Sequence, residues 1–243
     1  STSSKRERDG WMINAGTRVQ CLDWVPNNSS TTQYLAMSMV PTTGQMNEEL
    51  QPNDFRKPTA PAYTPAAPTP ASIQIWVFDT IVTPEKGVQF NPQKRPRIEF
   101  VICTQWGDLK QFKWCPFPYR EPSDDSTRET ELHLGLLAGV WGDGKIRVLD
   151  VRCPVTAAES PQYLRFDTAA FEVAAQDTIF TCITWLSPRS VAAGCANGFA
   201  AIFDISKSLI TPSSNDNADP RPWFYHCLHQ AYILSLISAH PSR

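Results

Sequence analysis

Acidic and basic residues nearly cancel in this chain of 243 residues, leaving a formal net charge of -2. A domain whose main work is gripping DNA phosphates carries a strong basic excess, so the balance argues against that role. Long apolar runs are missing too. None approaches the roughly 20 residues that a membrane-spanning helix needs, and no stretch has the basic start, apolar middle and small-residue cleavage site of a secretory signal. The seven cysteines include no CxxC pair. Cys21, Cys103, Cys182 and Cys195 sit within apolar runs, where a reduced thiol acts as a small hydrophobe, which points to a reducing compartment.

Histidine is scarce, with four in all. His226-Cys227-Leu228-His229 is the one Cys/His-dense spot, and no second ligand pair lies at zinc-finger spacing. On a strand, His226 and Cys227 would point to opposite faces. There is no GxSxG, no phosphate-binding P-loop and no GxGxxG after a strand. The reading therefore assigns no catalytic, cofactor-binding or metal-binding residue.

What the chain does have is self-similarity. RVQCLDWVP (18–26), LKQFKWCP (109–116) and FTCITWLSP (180–188) are short runs of β-favouring residues ending in Trp, with Pro close behind. Leu22, Phe112 and Ile183 lie two residues before the Trp and share its face of the strand. A second apolar strand with a central Ala follows each: YLAMS (34–38), LLAGV (136–140) and VAAGC (191–195). Gly142-Asp143-Gly144 and Asn197-Gly198 then supply hairpin turns. No helix pattern follows these glycines, so a phosphate or metal role is rejected. Third strands end near Asp: SIQIWVFD (72–79), KIRVLD (145–150) and FAAIFD (199–204). Fourth strands are expected at 97–105, 161–166 and 222–228.

Asp79, Asp150 and Asp204 recur at equivalent positions, which marks them as structural. Trp24, Trp114 and Trp185 recur likewise and read as core. Trp223-Phe224-Tyr225 differs: three successive large aromatics on an outermost strand cannot all face one core, so they are the candidate partner-binding residues. Basic clusters at Lys5-Arg6-Arg8 and Lys94-Arg95-Arg97 read as solvated surface, with a nuclear-import or nucleic-acid role as the alternative.

This pattern predicts an all-β fold, a WD40-type β-propeller that is incomplete in this chain: three blades plus the first strand of a fourth at 232–241. Residues 1–10 form an N-terminal flank and 11–243 the partial propeller. The aligned tryptophans are more widely spaced than the roughly 40–45 residues of a minimal blade. The excess lies in a Pro/Thr-rich insertion at 41–71 and in polar loops at 120–131 and 206–222. Both faces of an inner strand are normally buried, so Ile233, Leu234, Leu236 and Ile237 are expected to need cover.

The segments GWMINAGTRVQCLDWVP (10–26), LKQFKWCP, LGLLAGVWGDGKIRVLDV (134–151), GCANGFAAIFDI (194–205) and HQAYILSLISAHPS (229–242) resemble the WD40 subunit of general transcription factor IIIC. The resemblance spans most of residues 10–242 apart from the insertions. It implies a nuclear, non-enzymatic scaffold that supports promoter recognition at transfer RNA genes and transcription by RNA polymerase III. Its implied partners are a second WD40 subunit and the large DNA-contacting subunit, with DNA approached only indirectly and no membrane or small-molecule substrate. The rival readings are a chromatin-associated propeller that reads a histone tail, and an acyltransferase-like enzyme built on Cys195.

Overall fold

Each Trp-Pro unit begins a separate antiparallel sheet. The computed structural model describes residues 10–26, 32–40, 68–85, 87–117, 131–154, 160–210 and 220–239. Within these, strands β1 (Arg18–Trp24), β2 (Thr32–Val40), β3 (Ala71–Thr83) and β5 (Arg97–Thr104) follow one another across the first sheet, and β4 (Gly87–Phe90) folds back on the far end of β3. Strands β6 (Leu109–Trp114), β7 (Glu131–Trp141), β8 (Ile146–Pro154) and β10 (Phe171–Val173) make the second sheet. Strands β11 (Phe180–Ser187), β12 (Ser190–Cys195), β13 (Phe199–Asp204) and β14 (Phe224–Cys227) make the third. Among the described residues the one helix is the five-residue α1 (Ser206–Ile210), within a stretch expected to be polar loop.

The sheets stack face to face, with β1, β6 and β11 as neighbouring edges. Between the first and second sheets lie Ile73, Ile75, Phe100, Ile102, Phe112, Leu137 and Trp141, and between the second and third lie Ile146, Val148, Phe180, Trp185, Val191 and Phe203. Buried aliphatic and aromatic side chains of this size each contribute roughly 1.5–3 kcal/mol relative to exposure. Polar links run along the seam of first strands. The Asp23 carboxylate accepts the Trp114 backbone N–H at 3.0 Å, Gln111 Oε1 accepts that of Ile183 at 3.1 Å, and Ser38 Oγ donates to the Leu109 carbonyl at 2.8 Å. Trp185 Nε1 donates to the Lys113 carbonyl at 2.9 Å, tying the third sheet to the second.

Three expectations need correction. Residues 161–166 were expected to close the second sheet, yet β9 (Gln162–Arg165) pairs in parallel with β5 and extends the first, while β10 closes the second. Leu164 and Phe166 make the difference, because they pack on the core shared by the first two sheets. Second, residues 232–239 form no strand. A strand needs a ladder, and here the backbone contacts are sparse: Ile233 N–H donates to the Cys195 carbonyl at 3.2 Å, and Thr181 Oγ1 donates to the Ile233 carbonyl. Leu234 and Ile237 stand exposed rather than buried. Third, the repeated tryptophans are not equivalent. Trp114 and Trp185 are buried, but Trp24 is 41% exposed and its neighbour Leu22 is exposed too, because these two side chains of β1 face the side of the first sheet away from the second.

The two turns reverse the chain as expected. Gly144 and Gly198 have φ of 81° and 85°, a region that L side chains rarely adopt. Asp143 in the first turn accepts the Lys145 backbone N–H at 3.2 Å and grips Arg147 through both oxygens, at 3.0 and 2.6 Å. The Arg147 guanidinium is buried; its Nε meets Glu172 on β10 at 2.6 Å, and it lies 4.5 Å over the Trp106 ring. One carboxylate of the turn therefore helps to staple β8, β10 and the loop before β6 together.

Candidate interaction surface

Trp223, Phe224 and Tyr225 lie at the start of β14, the outermost strand of the third sheet, and are 65%, 37% and 46% exposed. Strand alternation separates them. Tyr225 pairs across from Ala201 and stacks on Phe199 at 4.6 Å, so it points toward the second sheet. Phe224 pairs with Ile202 on the opposite face, and Trp223 meets the edge of Phe224 at 6.4 Å. Beside Tyr225 opens a cleft of about 630 Å³, floored by Phe180, Ala201 and Phe203 and rimmed by Gln176 and Arg221. The cleft combines an apolar floor, an aromatic wall and one cation among its lining residues.

A second aromatic surface escaped the sequence reading. On the outward face of the first sheet Trp24 stacks on Phe90 at 5.5 Å and meets Phe78 at 5.1 Å, with Trp11 packed edge-on to Phe78 at 5.8 Å. Phe90 belongs to β4, and nothing in the repeat pattern signals that hairpin. Trp11 sits in the segment GWMINAG (10–16) before β1, whose aromatic residue was the available clue. Its Nε1 is buried with no hydrogen-bond partner among the described residues.

The chemistry-bearing side chains converge little. Among the described residues no group of three or more His, Cys, Asp or Glu is placed to hold a metal. Burial pushes the Cys21 thiol up to about 11 and the Cys195 thiol up to about 12, the latter with a further upward push from Cys182. A thiol so raised is a poor nucleophile at neutral pH. Asp23 is likewise raised from the usual carboxylate value by burial, against the lowering effect of the Trp114 N–H and of Lys113. The repeated aspartates each have local partners. Asp79 pairs with Arg97 at 2.9 Å and Lys94 at 3.3 Å, which accounts for two members of that basic cluster. Asp150 pairs with His133 at 2.7 Å and Arg152 at 2.9 Å. Asp204 accepts the Ser206 N–H and hydroxyl at the start of α1, and those bonds hold its carboxyl below the usual value. The cluster Lys5-Arg6-Arg8, most of the insertion at 41–71 and nearly all of the loop at 120–131 lie outside the described residues.

Comparison with known proteins gives these surfaces a context. No family model matches the chain. Along 95% of its length it is 27% identical to "Transcription factor tau subunit sfc6" of Schizosaccharomyces pombe, covering 32% of that protein. Along 96% it is 24% identical to "Transcription factor tau 91 kDa subunit" of Saccharomyces cerevisiae, covering 29% of it. The chain thus spans about a third of the length of the curated relatives it matches, and what it is similar to, over nearly all its residues, is a part of transcription factor tau subunits.

Proposed function

We propose that this chain is part of a WD40-type β-propeller that acts as a non-enzymatic scaffold subunit of transcription factor tau, the IIIC factor of the resemblance above. In this reading it supports promoter recognition at transfer RNA genes in the nucleus through protein–protein contacts. Its partners are a second WD40 subunit and the large DNA-contacting subunit, and DNA is reached through them. The observation that carries the reading is the similarity to two tau subunits over nearly the whole chain.

The architecture supports it. Three meanders stacked with their first strands adjacent are what consecutive propeller blades require, and the mixed charge suits a scaffold more than primary DNA readout. The exposed aromatics at Trp223, Phe224 and Tyr225 suit a partner contact, since aromatic residues are enriched in interface cores. The test is to tag the full-length protein in its own cells and purify it. Recovery with tau subunits and bound transfer RNA genes is expected, and its depletion should lower transfer RNA gene transcription. Recovery with histones and no tau subunits would overturn the reading.

A further inference from the structure

The outermost strand of the first sheet does not end that sheet. Strand β5 takes on a further parallel strand, β9, from Phe100↔Gln162 to Cys103↔Arg165. Leu164 and Phe166 turn to the core, while Tyr163 and Arg165 face solvent. The chain thus already uses strand addition, with alternate side chains anchoring an extended segment to a blade edge. In the third sheet the corresponding position is held by β14, which has no strand on its other side among the described residues. All four of its residues are exposed. An edge strand of this kind presents unpaired N–H and C=O groups, a template for an incoming strand.

Next to that edge lies the cleft of about 630 Å³ described above. Its floor of Phe180 and Phe203 and its Tyr225 wall would accept apolar side chains. Its rim carries Arg221, which has no ion-pair partner among the described residues. From Pro220 to Ala239 the chain contains no Asp or Glu; the nearest carboxylates in sequence, Asp216 and Asp219, lie outside the described residues. We propose that the outer edge of β14, with the adjoining cleft, is a strand-addition site for an extended partner peptide in which acidic residues alternate with large apolar ones. The peptide backbone continues the β13–β14 ladder, its apolar side chains enter the cleft, and a carboxylate meets Arg221. That the occupant is a segment of a protein rests on the assembly reading above.

The test uses the full-length protein and a fluorescein-labelled synthetic peptide alternating Leu or Phe with Asp or Glu. Three comparison probes accompany it: the same peptide N-methylated at alternate backbone amides, a version with Lys for each acid, and a single-stranded oligonucleotide. The acidic peptide should bind saturably by anisotropy and slow amide exchange across residues 224–227. Methylation or the Lys swap should weaken binding by about tenfold or more, the loss expected when a ladder or a charge-assisted hydrogen bond is removed. Arg221→Glu should move the preference to the Lys peptide, while Arg221→Lys should keep the original one. No saturable binding, equal binding of the methylated peptide, indifference to Arg221→Glu, or displacement by the oligonucleotide or by unlabelled protein would each overturn the proposal. Co-purification of the Arg221→Glu protein with tau subunits separates the two readings. If assembly persists while the peptide never binds, the site is wrong and the assembly reading stands; if assembly is never seen yet the peptide binds as expected, the reverse holds.

Discussion

Replacing Gly198 by alanine should be far more damaging than the same change at Gly144. Both residues have nearly the same left-handed φ, 85° and 81°, so both variants carry similar backbone strain of about 1–2 kcal/mol. What the new Cβ meets differs. At Gly144 it comes 2.7 Å from Cγ2 and 3.0 Å from Cβ of Ile179, so that residue must shift slightly, but the nearest main-chain atom is 3.8 Å away. At Gly198 it falls on the carbonyl oxygen of His229 and 2.9 Å from that of Ala231, which are main chain. That segment is held by Leu228 N–H and His229 N–H donating to the Gly198 carbonyl at 3.0 and 3.1 Å, and by Ile233 N–H on Cys195 O at 3.2 Å. Lifting it sacrifices up to three hydrogen bonds of about 1 kcal/mol each. Gly144→Ala should therefore cost about 2 kcal/mol, strain plus a small shift of Ile179, and Gly198→Ala up to about 4–5 kcal/mol, strain plus the three hydrogen bonds. Urea denaturation gives the two costs, and amide exchange across 224–233 should rise in Gly198→Ala alone. Equal urea midpoints with unchanged exchange of Ile233 would refute the argument that main-chain contact sets the difference.

Other substitutions separate effects that the repeat pattern makes look alike. Trp185→Phe should cost about 1 kcal/mol more than Trp114→Phe by denaturant titration, because Trp185 Nε1 donates to Lys113 O whereas Trp114 Nε1 has no partner among the described residues. Arg147→Met should destabilise by roughly 3 kcal/mol, since it leaves Asp143 and Glu172 without their shared cation; a thermal melt unchanged from wild type would contradict this. Burial raises the folded-state pKa of Asp23, so its contribution to stability is complete below the ordinary carboxylate value and is lost as pH rises through the raised one. Asp23→Asn, which keeps an acceptor for Trp114 N–H, should accordingly match or exceed wild-type stability at pH 7 and lose that advantage in acid; a variant clearly less stable at pH 7 would show that ionised Asp23 is favourable. Among the described thiols, iodoacetamide at pH 8 should label exposed Cys227 first and Cys21 and Cys195 last, as read by mass spectrometry of tryptic peptides.

The strand-level plan was legible because its signals are local. A Trp-Pro ending, a central Ala and an Asn-Gly turn encode strand, strand and hairpin within a few residues, and β6–β8 and β11–β13 formed where those signals stood. The partner of the fourth strand was not legible. Residues 161–166 alternate as any edge strand does, and only the distant Phe100–Cys103 ladder and the apolar pocket for Leu164 and Phe166 decide which sheet receives them. The fate of the repeated tryptophans was hidden for the same reason. Similar local patterns place Trp24 and Trp185 alike on their strands, but burial depends on what stacks outside, and β1 has no sheet on that side among the described residues. The aromatics at 223–225 stood out as candidates through an inconsistency, three successive large rings that cannot all face one core, and all three are exposed. The cleft beside them is built from Gln176, Phe203 and Arg221, residues far apart in sequence with no shared motif.

Strand β9 also constrains how the protein is made. A ribosome releases the chain from its N-terminus, so β1, β2, β3 and β5 emerge long before the segment that pairs with β5. Until Gln162–Arg165 is out, the growing first sheet holds a bare lateral edge, and β6, β7 and β8 of the second sheet lie in the chain between the two halves of that pairing. The first two sheets therefore finish together, late, as one clasped unit, while the third follows as an addition to it. Chains ending just before Pro161 and just after Asp167, released from the ribosome, should differ sharply in protease resistance, and the difference should map to the first sheet rather than to the seven added residues.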